Sequence, residues 1–209
     1  LLTDRDSWFI CYASNETEAE SAFKRMSGAL SVILKYPKSR FITGRKMIKG
    51  RAKFAYKGSF SFLDRSSIVP AVGEPIKITK KMVDIFNRLI VTKASECRLQ
   101  IALEYLSDAW GNTSKLSFIS NSIAMDALFG VNGKVRKSIL KGVEKYAVEI
   151  EDAKEKYDLI LKIRNGLLHG EYPNIEICPD YLSFFVKFKS NPINEQIHII
   201  NACILKYSE

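Results

Sequence analysis

Residues 16–36, ETEAESAFKRMSGALSVILKY, repeat apolar side chains at three- and four-residue intervals, so that Ala19, Ala22, Phe23, Met26, Leu30, Ile33 and Leu34 fall on one stripe of a helix. Asn15 or Thr17 is placed to cap it and Pro37 to stop it. From 38 to 78 the period shortens. The runs RFITG, AKFAYKGSFSFLD and SSIVPAVGEPIKI alternate apolar and polar positions between Gly and Pro turn signals, which predicts a small sheet. VGEP then reads as a linker, Thr79 as an N-cap, and Met82, Ile85, Phe86 and Leu89 as the inner stripe of the next helix. A domain boundary is therefore expected near 76, dividing a mixed α/β segment, 1–76, from a helical domain, 77–209.

The helix that Thr79 opens is expected to continue as far as Trp110, where Gly111-Asn112 breaks it and Thr113 or Ser114 caps another. In KLSFISNSIAMDALFG, the residues Leu116, Ile119, Ile123, Ala127 and Phe129 give a core face and Gly130 a stop. A third periodic region runs from Lys134 to about Leu168 with a break near the acidic EIED at 149–152, and Gly170 and Pro173 end it. YLSFFVKF, 181–188, reads either as strand or as buried helix. The last helix, NPINEQIHIINACILKY, turns Ile193, Ile197, Ile200, Ala202 and Leu205 mostly inward. The fold class read from the pattern is mainly α, with a small mixed segment in front.

Composition narrows the partners. With 46% hydrophobic and 26% charged residues in 209, the chain has enough apolar side chains for a real core. Its longest apolar runs, LSVIL and IHII, are far below the ~20 residues of a spanning helix, so no membrane segment is expected. The chain opens with Leu1 rather than methionine and without the layout of a signal peptide, so an upstream portion is expected. Cys11, Cys97, Cys178 and Cys203 show no paired spacing, which fits neither a disulfide framework nor a zinc site. They are read as inert buried thiols in a reducing cytoplasm. Two histidines, His169 and His198, have no second ligand at metal spacing, so no metal and no cofactor is expected. His198 and the tryptophans Trp8 and Trp110 are read as packing or helix residues.

A net charge of +9 is what a polyanion-binding protein carries and also what keeps an unrelated protein in solution. The distribution favours nucleic acid. KYPKSRFITGRKMIKGRAKFAYKG, 35–58, is dense in Lys and Arg, holds no acid, and interleaves aromatics. Its core, Arg45, Lys46, Lys49, Arg51 and Lys53, supplies the candidate phosphate contacts.

The chemistry-bearing stretch is KIRNGLLHGEY, 162–172. On a regular helix Asn165 and His169, four apart, share a face, while Arg164 and His169, five apart, diverge by about 140°. A helix C-terminus has the same composition: cations complement the dipole and Gly170 is the usual residue after the cap. Both readings are open from these residues alone.

The wider match of KYDLILKIRNGLLHGE resembles the Arg-Asn-x-x-x-His-Gly signature of HEPN domains, bundles of four to five helices found in many prokaryotic ribonucleases. SIAMDALFG, upstream, resembles the corresponding helix of the Apea-like branch. The resemblance spans about 77–209. Two positions depart from the pattern: Asp126 stands where the branch has glutamate, and Tyr172 lies three residues after the histidine rather than two.

What the resemblance implies is a HEPN-type bundle and metal-independent endoribonuclease activity in a toxin or anti-phage setting, with Arg164, Asn165 and His169 catalytic and Asp126 and Tyr172 in support. Free imidazole titrates near ~6.5, which suits proton transfer from a ribose 2′-hydroxyl, and a guanidinium matches phosphate oxygens. It implies RNA as substrate, and a homodimer in which one copy's arginine and the other's histidine meet the same phosphate. An antitoxin or sensor domain is a further implied partner. The alternative function is a non-catalytic HEPN module that binds RNA, nucleotide or a protein.

Overall fold

The computed structural model describes residues 13–34, 41–42, 52–54, 60–62, 71–72, 78–91, 97–111 and 114–209. The described chain is mainly helical. Its helices are α1 (Glu16–Leu34), α2 (Lys80–Ile90), α3 (Cys97–Gly111), α4 (Ser114–Phe129), α5 (Val135–Tyr146), α6 (Ala153–Leu168), α7 (Pro179–Phe188) and α8 (Pro192–Tyr207). Four short strands lie between α1 and α2: β1 (Phe41–Ile42) pairs antiparallel with β4 (Ala71–Val72), and β2 (Ala52–Phe54) with β3 (Phe60–Phe62). The boundary expected near 76 lies outside the described residues.

Asn15 and Thr79 are the caps at two helix starts. Asn15 Oδ1 accepts from the Glu18 N–H at 2.9 Å, and Thr79 Oγ1 from the Met82 N–H at 3.3 Å. The helix opened by Thr79 does not reach Trp110. It ends at Ile90, with the Val91 N–H bonded to Asn87 O at 2.8 Å. The break near 149–152 separates α5 from α6, and YLSFFVKF is helical, entered through Pro179 at the first turn.

One core draws on every helix. α1 packs along α3, α3 along α4, and α6 against α5, α7 and α8. Which faces turn inward differs from the expected stripes in α1, α4 and α8. In α1 the fully buried residues are Gly28, Ala29 and Val32, because small side chains let its backbone approach α3. A Cβ built on Gly28 would lie 1.9 Å from the Leu103 carbonyl oxygen. Ser21 donates to Glu104, Arg25 to Gln100 at 3.1 Å, and Lys24 pairs with Asp108 at 3.2 Å, so polar contacts line both sides of that seam.

In α4 the inward row is Phe118, Ser122, Met125 and Leu128, and Leu116 is exposed. Polar and apolar residues are spread round α4, with Ser117, Asn121 and Ser122 among the buried ones, so its periodicity carries little information about facing. The buried Gln196 of α8 decides the register instead. Its amide nitrogen donates to Phe118 O at 3.1 Å and to Ser122 Oγ at 2.8 Å, while its Oε1 is buried without a partner. The inward row of α8 accordingly contains Gln196, Ile199, Ile200, Cys203 and Ile204 rather than Ile197.

Candidate active site

α6 enters through Asp152, whose φ of 56° places it in the left-handed region, and buries Tyr157, Ile160, Leu161, Ile163, Gly166 and Leu167. Its far end is closed by backbone alone. His169 is the C-cap, Gly170 follows at φ 73°, the Glu171 N–H bonds to Gly166 O at 2.9 Å, and the Gly170 N–H to Leu167 O at 3.4 Å. This is the Schellman arrangement that glycine at that position favours. Tyr172 then folds back over the helix. A Cβ on Gly166 would meet its ring carbons at 3.0 and 3.1 Å, so the absence of a side chain at 166 is what admits the tyrosine.

The motif splits across this helix end. Asn165 and His169 share the outer face and are exposed, and among the described residues neither side chain is hydrogen-bonded. Arg164 points the other way. Its Nη2 donates to Asp126 Oδ2 of α4, and the side chains of the pair are 17% and 23% exposed. The structure thus brings Asp126 to Arg164 and Tyr172 to Gly166, and keeps Arg164 and His169 of one chain on diverging faces.

The ion pair is incompletely satisfied. Asp126 Oδ1 and Arg164 Nε are buried without a partner, as is the hydroxyl of Tyr157, seven residues before Arg164 on the same face. Burial pushes the Asp126 carboxyl above the ordinary carboxylate range, outweighing the opposing attraction of Arg164. Burial likewise raises the Tyr157 phenol well above its usual value, with the Cys203 and Asp126 charges adding to the effect. Removing one partner strands the other. Asp126→Ala is expected to cost about 1–2 kcal/mol, below the range for fully buried pairs because both groups retain some solvent. Asp126→Asn, which keeps an acceptor, should recover part of it. Urea unfolding of both variants checks this, and equal stability of Asp126→Ala and wild type would show the pair to be inert.

No protein-family model matches the chain, and neither does any curated protein or solved structure.

Of the candidate phosphate contacts, Arg45, Lys46, Lys49 and Arg51 lie outside the described residues, and Lys53 is in β2, paired with Ser61. Trp8 and Cys11 also lie outside them. His198 is exposed on α8. The cysteines divide. Cys178 and Cys203 are buried, with burial pushing the Cys203 thiol up to about 12, whereas Cys97 is exposed at the start of α3, where its expected burial is corrected. Among the described residues no group of three or more His, Cys, Asp or Glu side chains is arranged to hold a metal, and no helix is long and apolar enough to cross a membrane.

Two residues near the motif escaped sequence reasoning. Tyr157 sits at i−7 from Arg164, a spacing that puts it on the same face, but a tyrosine in an apolar stripe reads as core. Lys162 sits at i−7 from His169 and is exposed on the outer strip with it.

Proposed function

We propose that the chain is a metal-independent endoribonuclease acting in the cytoplasm, with Arg164, Asn165 and His169 at its active site. The observation that carries this reading is the split of the motif: His169 and Asn165 stand free at an exposed helix end, while Arg164, directly behind them, is anchored by Asp126 rather than left to wander. A histidine there serves no packing purpose. His169 takes the proton of a ribose 2′-hydroxyl, the 2′-oxygen attacks the adjacent phosphorus, and the 5′-oxygen leaves and is protonated. The products carry a 2′,3′-cyclic phosphate and a 5′-hydroxyl. Arg164 supplies positive charge to the phosphorane oxygens.

Because Arg164 and His169 diverge within one helix, the complete site takes one from each of two copies. Exposed apolar side chains support a two-fold contact beside the motif: Leu168 is 49% and Ile177 54% exposed, and α7 presents Leu182, Phe185 and Val186 along one stripe. The resemblance to HEPN proteins supports the same dimer and a toxin or anti-phage role, with an antitoxin or sensor domain as partner.

A second reading draws on the ion pair. Asp126 offsets the charge of Arg164, which favours a HEPN-like module that binds RNA, nucleotide or a protein without cutting it. Incubation of purified protein with total RNA in EDTA, beside His169→Ala, separates the two. We expect cleavage that survives EDTA, leaves cyclic phosphate ends, and disappears in the variant. A strict Mg²⁺ requirement with 5′-phosphate ends would overturn the mechanism, and intact RNA would favour the binding module.

A further inference from the structure

We infer that the outer face of α5, continued by Lys162 of α6, is a track for the phosphate backbone of single-stranded RNA leading to His169. The inference rests on the ribonuclease reading and deepens it. Lys134, Lys137, Lys141 and Lys145 recur every three or four residues, so they lie within about 80° of one another around α5, and all are exposed. Lys145 is engaged by Tyr146, whose hydroxyl accepts from its ammonium at 2.9 Å. Lys134, Lys137 and Lys141 have no acid within ion-pair reach among the described residues, and the first turn of α5 holds no acidic side chain.

These three form the rim of an open groove of about 1310 Å³, whose apolar lining includes Leu140, Val143 and Ile150. The acids that share this rim are mostly spoken for. Glu144 is paired with Lys154 at 3.0 Å, Glu155 with Lys187, and Asp158 with Arg136 at 2.6 Å. Asp152 lines the groove at the start of α6, the one acid of its lining with no ion pair among the described residues. An apolar lining below unpaired ammonium groups is complementary to bases below a phosphate chain.

The Arg136 fork also fixes where the track leads. It grips Asp158 through two bonds of 2.7 Å, holding the start of α5 beside the middle of α6. From Asp158 the side chains of Lys162, Asn165 and His169 follow along one strip of α6 within about 60°, and the rise from 158 to 169 is about 16 Å. The clamp thus ties the end of the lysine row to the strip of α6 that carries the motif, and the inferred path runs from the α5 lysines to Lys162 and then to His169.

The test uses the full chain and a single-stranded 2′-O-methyl oligonucleotide, which lacks the attacking hydroxyl and is not cut. The triple variant Lys134→Gln, Lys137→Gln, Lys141→Gln is compared with a control of equal charge loss, Lys80→Gln, Lys81→Gln, Lys206→Gln, after matching melting curves show both folded. Anisotropy titrations at several salt concentrations should show the α5 variant binding about ten-fold or more weakly at low salt, with the slope of log K against log salt smaller by about two, at ~0.7 per lost contact. Equal loss in the control, or wild-type affinity in the α5 variant, overturns the track. So does a failure of wild type to bind. Binding through the α5 lysines without cleavage of ordinary RNA would sink the ribonuclease reading and leave the track standing. Cleavage of long RNA at the wild-type rate by the α5 variant would do the reverse.

Discussion

His169→Ala is expected to lower RNA cleavage by roughly 10²- to 10⁴-fold, a barrier increase of about 3–5 kcal/mol, with little change in melting temperature. The size follows from removing the imidazole that takes the 2′-hydroxyl proton in the proposed reaction. The small effect on stability follows from its surroundings: the ring is exposed and makes no hydrogen bond among the described residues, and the helix end is closed by Gly170 and backbone bonds that alanine leaves in place. What alanine removes from the fold is an interaction with the helix dipole, worth about 0.3–1 kcal/mol when the ring is charged. Single-turnover cleavage and calorimetry on the same preparations decide between roles. Full activity in the variant ends the catalytic assignment, and a fall of several degrees together with lost activity points to a capping residue instead.

Gly28→Ala should destabilise the fold by about 2–3 kcal/mol, against the gain of about 1 kcal/mol that replacing a helical glycine by alanine brings at an open site. The new methyl would sit 1.9 Å from the Leu103 carbonyl oxygen, which is backbone and has no rotamer to yield. α1 must therefore move off α3, loosening Ala29 and Val32 and pulling at the Ser21–Glu104 and Lys24–Asp108 contacts. For a chain of this size the loss corresponds to a fall of roughly 4–12 °C in melting temperature. A rise in melting temperature would mean that helix propensity outweighs packing and that the close approach of the two helices is wrong.

The motif itself was legible because it is local. Arg164, Asn165, His169 and Gly170 lie within seven residues, and helix geometry alone places Asn165 with His169 and turns Arg164 away. Gly170 as the residue after the cap was equally legible, since positive φ selects glycine. That Asp126 meets Arg164 was not legible. Nothing in the spacing of two residues 38 apart brings them together, and the contact exists because α4 and α6 share a core.

Helix existence was written in the chain, and helix facing often was not. In α2 the alternation of apolar and polar positions is strong, and its expected residue Leu89 is the one buried. In α4 and α8 polar residues are spread round the helix, and the inward faces meet through a polar contact, Gln196 to Ser122 and Phe118, that only packed helices can make. In α1 the largest side chains marked one stripe, yet the closest contact went to Gly28 and Ala29, because what a neighbouring backbone selects is the absence of volume. The lysines of α5 show the same division. Their spacing, and hence their common face, is a property of the sequence, but the Arg136–Asp158 clamp that ties the start of α5 to α6 is a long-range pairing that tertiary structure alone decides.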